Sequence, residues 1–347
     1  MDNGFGEWQL YSACRLTAAH YYEPGEHRCE LFGTGFIVEF PNEDNRFGLV
    51  TNRHLVDVPW AEPEKAGAVI TSVTVATWLN RSSRVEFTID DPQPLYHDDP
   101  TVDVAVIPCG ADVRLKPVGN YPSPGELIHP LTATEPSPNF TYAVPWDYLL
   151  ECETLWPQIN PGEFVAFPGY PEWYDKLQTR PVLRSGMIAS DPHTEYRRLP
   201  GDPTSRDGIR QVLFDAFSTS GNSGSPVFVA QRGVPPMPLH MMSSRGGFSP
   251  DGPAAHVENT GYHRSFLIGI NTGHINISKE GRCGDTSEGV RGGDHAGLSR
   301  MHKLSAIMDI LRANATPSPK PAISMMIPAE AVDSGHADGG GPGPDQV

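Results

Sequence analysis

GNSGSP, residues 221–226, lies between the apolar runs VLFDAF (212–217) and VFV (227–229). It reads either as a tight turn or as a turn that holds one hydroxyl out for chemistry. Glycines on both sides of a serine let the backbone bend sharply and aim amide N–H groups into one small space. A nucleophilic serine needs such donors for an oxyanion, a base within hydrogen-bond reach, and a group that orients the base. In this geometry the amides of Gly221 and Ser223 form the oxyanion hole, and Pro226 restarts an extended strand. A Gly-Ser turn alone is common, so the choice rests on the rest of the chain.

Two other segments complete the requirement. LVTNRHLVD (49–57) ends an apolar strand in Thr51 and Asn52 and then presents His54. TVDVAVIP (101–108) sets Asp103 within a strand otherwise made of Val, Ala and Ile. Burying a bare carboxylate there costs several kcal/mol unless it is hydrogen-bonded. The N–H of an imidazole is the simplest compensation. His54, Asp103 and Ser223 therefore explain one another.

With these segments in hand, the chain resembles the trypsin-like serine proteases, in the bacterial branch that includes high-temperature-requirement proteases and glutamyl endopeptidases. The matching stretches are GTGFIV (33–38), VTNRHLV (50–56), VDVAVI (102–107), SGMIAS (185–190), FDAFSTSGNSGSPVF (214–228) and LIGINTG (267–273). The resemblance covers about residues 30–275, with gaps at two insertions, 110–160 and 230–265. The resemblance implies His54 as general base, Asp103 as its orienter and Ser223 as nucleophile. Ser225 is the rival nucleophile, and Asp57 and Asp99 are rivals for the acid. Asp57 follows His54 closely and reads as loop-exposed, and Asp99 belongs to the acidic run HDDP (97–100).

The departures matter as well. Asn222 precedes the serine where digestive-type members carry an aspartate, and no Ile-Val-Gly-Gly-like start follows a basic residue. Activation by insertion of a new N-terminus is therefore not expected. Control is expected from loops, the 230–265 insertion among them, or from a regulatory partner protein. By resemblance, Phe217, Ser218 and Thr219 form the base of the specificity pocket, and Asn271, Thr272 and Gly273 form one wall. No acid lies at the base, which disfavours Lys or Arg at P1. Phe217 implies a small or apolar P1. Thr219 matches a residue that glutamyl endopeptidases use for an acidic P1, but their histidine is Asn271 here, with His274 as a substitute.

Composition narrows the class. The chain has 347 residues, 42 acids against 26 bases and a formal charge of -16, so no long basic groove for nucleic acid is expected. Five cysteines without a C-x-x-C pair argue against a disulfide framework or a zinc knuckle, and the histidines show no ligand spacing. No metal or other cofactor is expected. No signal peptide or apolar run of membrane length is evident, so a cytoplasmic protein without a membrane partner is expected.

Short β-type runs separated by turns predict an all-β fold of two packed antiparallel β-barrels. The first is expected over 1–125 and the second over 160–300, within a protease domain of 1–313. Three-and-four spacing of apolar residues predicts one amphipathic helix over 298–312. The Pro/Gly-rich tail 314–347 is expected to be disordered. The expected activity is that of a serine endopeptidase acting on a protein or peptide substrate. A catalytically silent binding module and an esterase using the same three residues are the alternatives.

Overall fold

The computed structural model describes residues 5–22, 27–41, 46–109, 114–117, 140–194, 196, 211–232, 238–240, 254–256, 262–277 and 294–315. The expected disordered tail beyond residue 315, and most of both insertions, lie outside the described residues.

The chain begins with a short helix, α1 (Glu7–Tyr11). Strands β1 (Ala13–Tyr22), β2 (His27–Glu39) and β3 (Phe47–Thr51) follow. Two single helical turns, α2 (Arg53–Val56) and α3 (Val58–Ala61), lead into β4 (Ala68–Trp78) and β5 (Arg84–Asp90). The short strands β6 (Leu95–Tyr96), β7 (Ala105–Cys109) and β8 (Arg114–Pro117) complete an eight-stranded antiparallel sheet, ordered β6-β7-β3-β2-β1-β4-β5-β8. β1 shows how sequence makes such a strand: buried residues alternate with half-buried ones from Arg15 onward, as a pleated strand with one face on a core requires.

After helix α4 (Trp146–Leu155) come β9 (Phe164–Gly169), β10 (Val182–Ile188), β11 (Gln211–Asp215) and β12 (Pro226–Val229). A small hairpin pairs β13 (Pro238–His240) with β14 (Ala254–His256). The long strands β15 (Phe266–Ile277) and β16 (Asp294–Lys303) then run into helix α5 (Leu304–Ala313). Six of these strands close a barrel in the order β10-β11-β16-β15-β12-β9. Closure leaves no open strand edge at the ends of the order.

Sheet and barrel share one core. Phe36, Val38, Val50 and Val106 from the sheet, with Val104 just before β7, pack with Val165, Phe167, Phe214 and Phe228 from the barrel and with Ile307, Met308 and Leu311 from α5. A second cluster, including Leu16, Ile37, Leu49, Val75 and Phe87, lies within the sheet itself.

Three sequence expectations change. The predicted helix over 298–312 is shorter: 298–303 belong to β16, and the helix spans 304–313. Ladders to β11 and β15 on both sides hold that segment extended, with Gln211 opposite His302 and Asn271 opposite Met301. Asp103 precedes β7 rather than lying inside a strand. Helix α4 falls in a stretch read as an insertion without helix, because only Leu149 and Cys152 bury there and its apolar period is weak. Among the described residues, no helix is long and apolar enough to cross a membrane.

Candidate active site

β3 ends in Thr51, and Asn52 turns the chain into α2, which carries His54. Asp103 arrives from the segment between β6 and β7. Its carboxylate accepts from the His54 backbone N–H at 2.9 Å through Oδ1, and meets His54 Nδ1 at 2.7 Å through Oδ2. The remaining polar groups of Asp103 are engaged too. Its carbonyl accepts from Asn52 Nδ2 at 2.8 Å, and its own N–H donates to His302 Nε2 at 3.0 Å. The Asp103 side chain is 13% exposed and the His54 side chain 29%. Burial pushes the Asp103 pKa up, but the charge and hydrogen bonds of His54 outweigh it, and the carboxyl lies below its ordinary value. A carboxylate at Nδ1 holds the proton there, so the neutral ring presents Nε2 as an acceptor.

The serine turn is built differently. Gly221 and Gly224 take φ of +91° and +88°, a region that side chains rarely enter. Space forbids a side chain as well: a Cβ at Gly221 would lie 2.2 Å from the Tyr170 carbonyl oxygen, and one at Gly224 would lie 1.8 Å from that of Thr34. Within the turn the Asn222 N–H donates to Thr219 O at 3.0 Å and the Ser225 N–H to Asn222 O at 3.1 Å. The Gly224 N–H reaches Asn271 O at 2.9 Å. Among the described residues, the N–H groups of Gly221 and Ser223 have no hydrogen-bond partner. They are the two donors that the turn leaves unengaged.

Sheet and barrel meet at this turn through Thr34. Its N–H donates to Ser223 O at 2.8 Å, its hydroxyl donates to Gly221 O at 2.7 Å, and that hydroxyl accepts from the Tyr170 N–H at 3.0 Å. Beside it, a Cβ at Gly33 would fall 2.4 Å from Leu55 Cδ1 and 3.2 Å from Ser223 O. Leu55 follows His54, so the histidine turn and the serine turn face each other across Gly33. Among the described residues, the Ser223 hydroxyl makes no hydrogen bond to His54. Such contacts are often long without substrate and tighten in the complex.

The rivals are placed differently. Ser225 is fully buried, its Oγ lies 2.3 Å from where a Cβ at Gly169 would be, and it has no hydrogen-bond partner among the described residues. Asp57, read as loop-exposed, instead pairs with Arg53 at 2.9 Å and caps α3 through the Trp60 N–H. Asp99 accepts from the N–H and hydroxyl of Thr101.

Of the expected pocket residues, Phe217 is 52% exposed and lies on the surface beside the turn rather than at a buried base. Ser218 and Asn271 are fully buried and joined, Asn271 Nδ2 donating to Ser218 Oγ at 2.9 Å and to Asn222 O at 2.8 Å. The Thr219 hydroxyl accepts from Asn222 Nδ2. Thr272 donates to Arg300 O, and Gly273 has φ of +111° with open space around it. Among the described residues, no group of His, Cys, Asp and Glu is arranged to hold a metal ion, and Cys14, Cys29, Cys109 and Cys152 are free thiols.

Sequence reasoning missed Thr34 and His302. Thr34 sits between two glycines in the GTG of β2, a signal that a clamp was being built. His302 carried no signal, because its partner is a backbone N–H 199 residues away.

The sequence matches no protein-family model, and no curated protein matches it. Among solved structures it is similar to the HtrA-type protease AlgW with a decapeptide, at 15% identity and a TM-score of 0.41, over 88% of this chain and 64% of that one. It is also similar to a thermostable serine protease from an extremophilic microorganism, at 11% identity and a TM-score of 0.41, over 89% of this chain and all (100%) of that one. A third is the protease Anisep from Arthrobacter nicotinovorans, at 11% identity and a TM-score of 0.41, over 89% and 98%. Among the described residues, an antiparallel sheet adjoins a closed six-stranded barrel, and the histidine turn of the one lies beside the serine turn of the other.

Proposed function

We propose that the chain is a serine endopeptidase with His54, Asp103 and Ser223 as its triad. The observation that carries this reading is the pair of hydrogen bonds from His54, one by ring and one by backbone, to one buried carboxylate. Such a carboxylate holds an imidazole in one tautomer and one orientation and stabilises the imidazolium that forms during reaction. Ser223 Oγ attacks the peptide carbonyl while His54 Nε2 takes its proton. The oxyanion is met by the Gly221 and Ser223 amides. His54 then passes the proton to the leaving amine, and an acyl-enzyme remains on Ser223. Water, activated by His54, releases it. The residue at P1 is small or apolar, because residues 217–219 and 271–273 carry no charged side chain to pair with one.

A fluorophosphonate probe tests the reading. It labels Ser223 in the wild type, and labelling disappears in Ser223→Ala and in His54→Ala. Turnover of casein or peptides by the unlabelled wild type, against simple esters, separates a peptidase from an esterase. The silent binding module has one observation in its favour, the absence of a Ser223–His54 hydrogen bond among the described residues. A folded wild-type chain that takes no label at any pH establishes that second reading instead.

A further inference from the structure

Stacked guanidinium groups are frequent in this chain, and most of them also have a polar partner. Arg53 lies over Trp60 and Tyr96 and pairs with Asp57. Arg180 lies over Trp78 and donates to the Tyr11 hydroxyl and to Gln178. Arg264 and Arg312 lie near Tyr148 and Trp146 and pair with Glu151 and Glu153. Arg46 lies over Phe40 and donates to the Asn314 carbonyl.

Arg15 and Arg184 are different. Arg15 sits between Phe32 at 5.8 Å and Tyr174 at 5.7 Å, and Arg184 between Trp173 at 5.3 Å and Phe217 at 5.9 Å. Among the described residues, neither makes an ion pair or a side-chain hydrogen bond. The chain carries 42 acids against 26 bases, so carboxylates are plentiful, yet none among the described residues is paired with these two.

Both flank the serine turn. Arg15 is the direct cross-strand partner of Thr34, whose N–H bonds Ser223 O. Phe32, two residues before Thr34, shares its face of the sheet. Phe217 lies six residues before Ser223 in the chain, at the other end of the turn. Trp173 and Tyr174 link the two stacks, and their segment is tied to the serine turn by the Glu172 N–H donating to Ser220 O at 3.1 Å. Phe32, Trp173 and Phe217 are each more than half exposed.

The rings restrict each guanidinium and strip part of its hydration, while its N–H fork remains in plane to meet an acceptor. Burial also draws the Arg184 pKa down, as expected where a cation is poorly solvated and lacks a counter-charge. A carboxylate matches such a fork with two parallel hydrogen bonds.

Resting on the endopeptidase reading, we infer that the substrate is an acidic peptide, with one carboxylate held by Arg184 and another by Arg15, beside the serine turn. These contacts lie outside P1, which stays small or apolar. In a protein of net charge -16, long-range repulsion opposes such a substrate, so selection rests on these two local contacts.

The test uses two fluorescein-labelled peptides, Glu-Glu-Ala-Ala-Glu-Glu and its Gln-for-Glu isostere. Binding to the full-length Ser223→Ala chain is followed by anisotropy, and cleavage by the wild type is followed in parallel. The Glu peptide binds at least about tenfold tighter, the ratio that about 1.4 kcal/mol produces. Arg15→Gln and Arg184→Gln each reduce the ratio, and the double variant brings it close to one with an unchanged thermal midpoint. If a variant fails to fold, Arg15→Lys and Arg184→Lys take its place, keeping the charge but losing the fork and most of the preference. Equal binding of the two peptides, or a preference that survives in the double variant, overturns the inference. Equal binding with cleavage intact leaves the endopeptidase reading standing. Preferential binding without cleavage or probe labelling keeps the acidic site and removes the endopeptidase reading.

Discussion

The two halves of the candidate site are held in opposite ways. On the sheet side, every polar group of Asp103 is engaged, by His54, Asn52 and His302. On the barrel side, the serine turn is held mainly through carbonyl groups, and the amides of Gly221 and Ser223 are left unengaged among the described residues. One half is saturated and the other is open. The difference matches a division of labour: groups that orient must not move, whereas groups that receive developing charge must be vacant when it arrives. Folding does the first job with hydrogen bonds and the second with glycine backbone.

Breaking the saturated half has the largest expected effect. Asp103→Asn keeps the size of the side chain but offers an N–H where His54 Nδ1 needs an acceptor. Peptidase kcat falls by about 10⁴-fold, as a wrong tautomer does elsewhere. Fluorophosphonate labelling slows in parallel while the fold persists by circular dichroism. A loss below about tenfold removes Asp103 from the orienting role.

Breaking the open half comes next. Gly221→Ala places a methyl against the Tyr170 carbonyl and forces a side chain into φ of +91°. The turn shifts, and its two amides no longer converge. kcat falls by about 10²–10³-fold, or about 2.7–4 kcal/mol, the size of one lost oxyanion donor. KM for a short peptide changes little. A loss confined to KM means that the amides bind the ground state and not the oxyanion.

Thr34 spans the two halves, and its removal is milder. Thr34→Val keeps the shape but leaves the buried Tyr170 N–H without its hydroxyl acceptor. Stability drops by about 1–3 kcal/mol, and kcat falls by about tenfold as the turn loosens. Thr34→Ser restores both, because the hydroxyl alone makes the bonds. Failure of the serine variant to rescue assigns the role to the methyl group and its packing.

What the sequence made legible follows the same division. The serine turn is readable locally, since glycines at 221 and 224 announce positive φ and Pro226 announces the strand that follows. Asp103 is readable by elimination, because a carboxylate among Val and Ala demands a partner. β2 and β3, and β4 and β5, follow one another closely in the chain and pair as neighbours in the sheet. The partners of Asp103 beyond His54 were not readable, since Asn52 and His302 meet it only after sheet and barrel have closed on one core. The start of α5 was hidden for a related reason. Ser299, His302 and Lys303 are polar yet buried, so β16 shows no apolar alternation, and a helical period ran on into it by chance.

Acid distinguishes the halves most gently. Residues 217–225 contain no titratable side chain, whereas the sheet side contains Asp103. The folded pKa of Asp103 lies below the unfolded value, ~3.9 for a free aspartate, so the folded state binds fewer protons there. Its contribution to stability is therefore complete above that ordinary value and is lost as the pH falls through the lower folded one. Denaturant unfolding between about pH 5 and pH 2.5 reads this as a falling stability with falling pH. Asp103→Asn removes that component and flattens the slope, although it lowers stability near neutrality. If wild type and variant lose stability in parallel across the window, the acid sensitivity lies with other carboxylates, and the saturated half is held by its neutral hydrogen bonds rather than by the charge on Asp103.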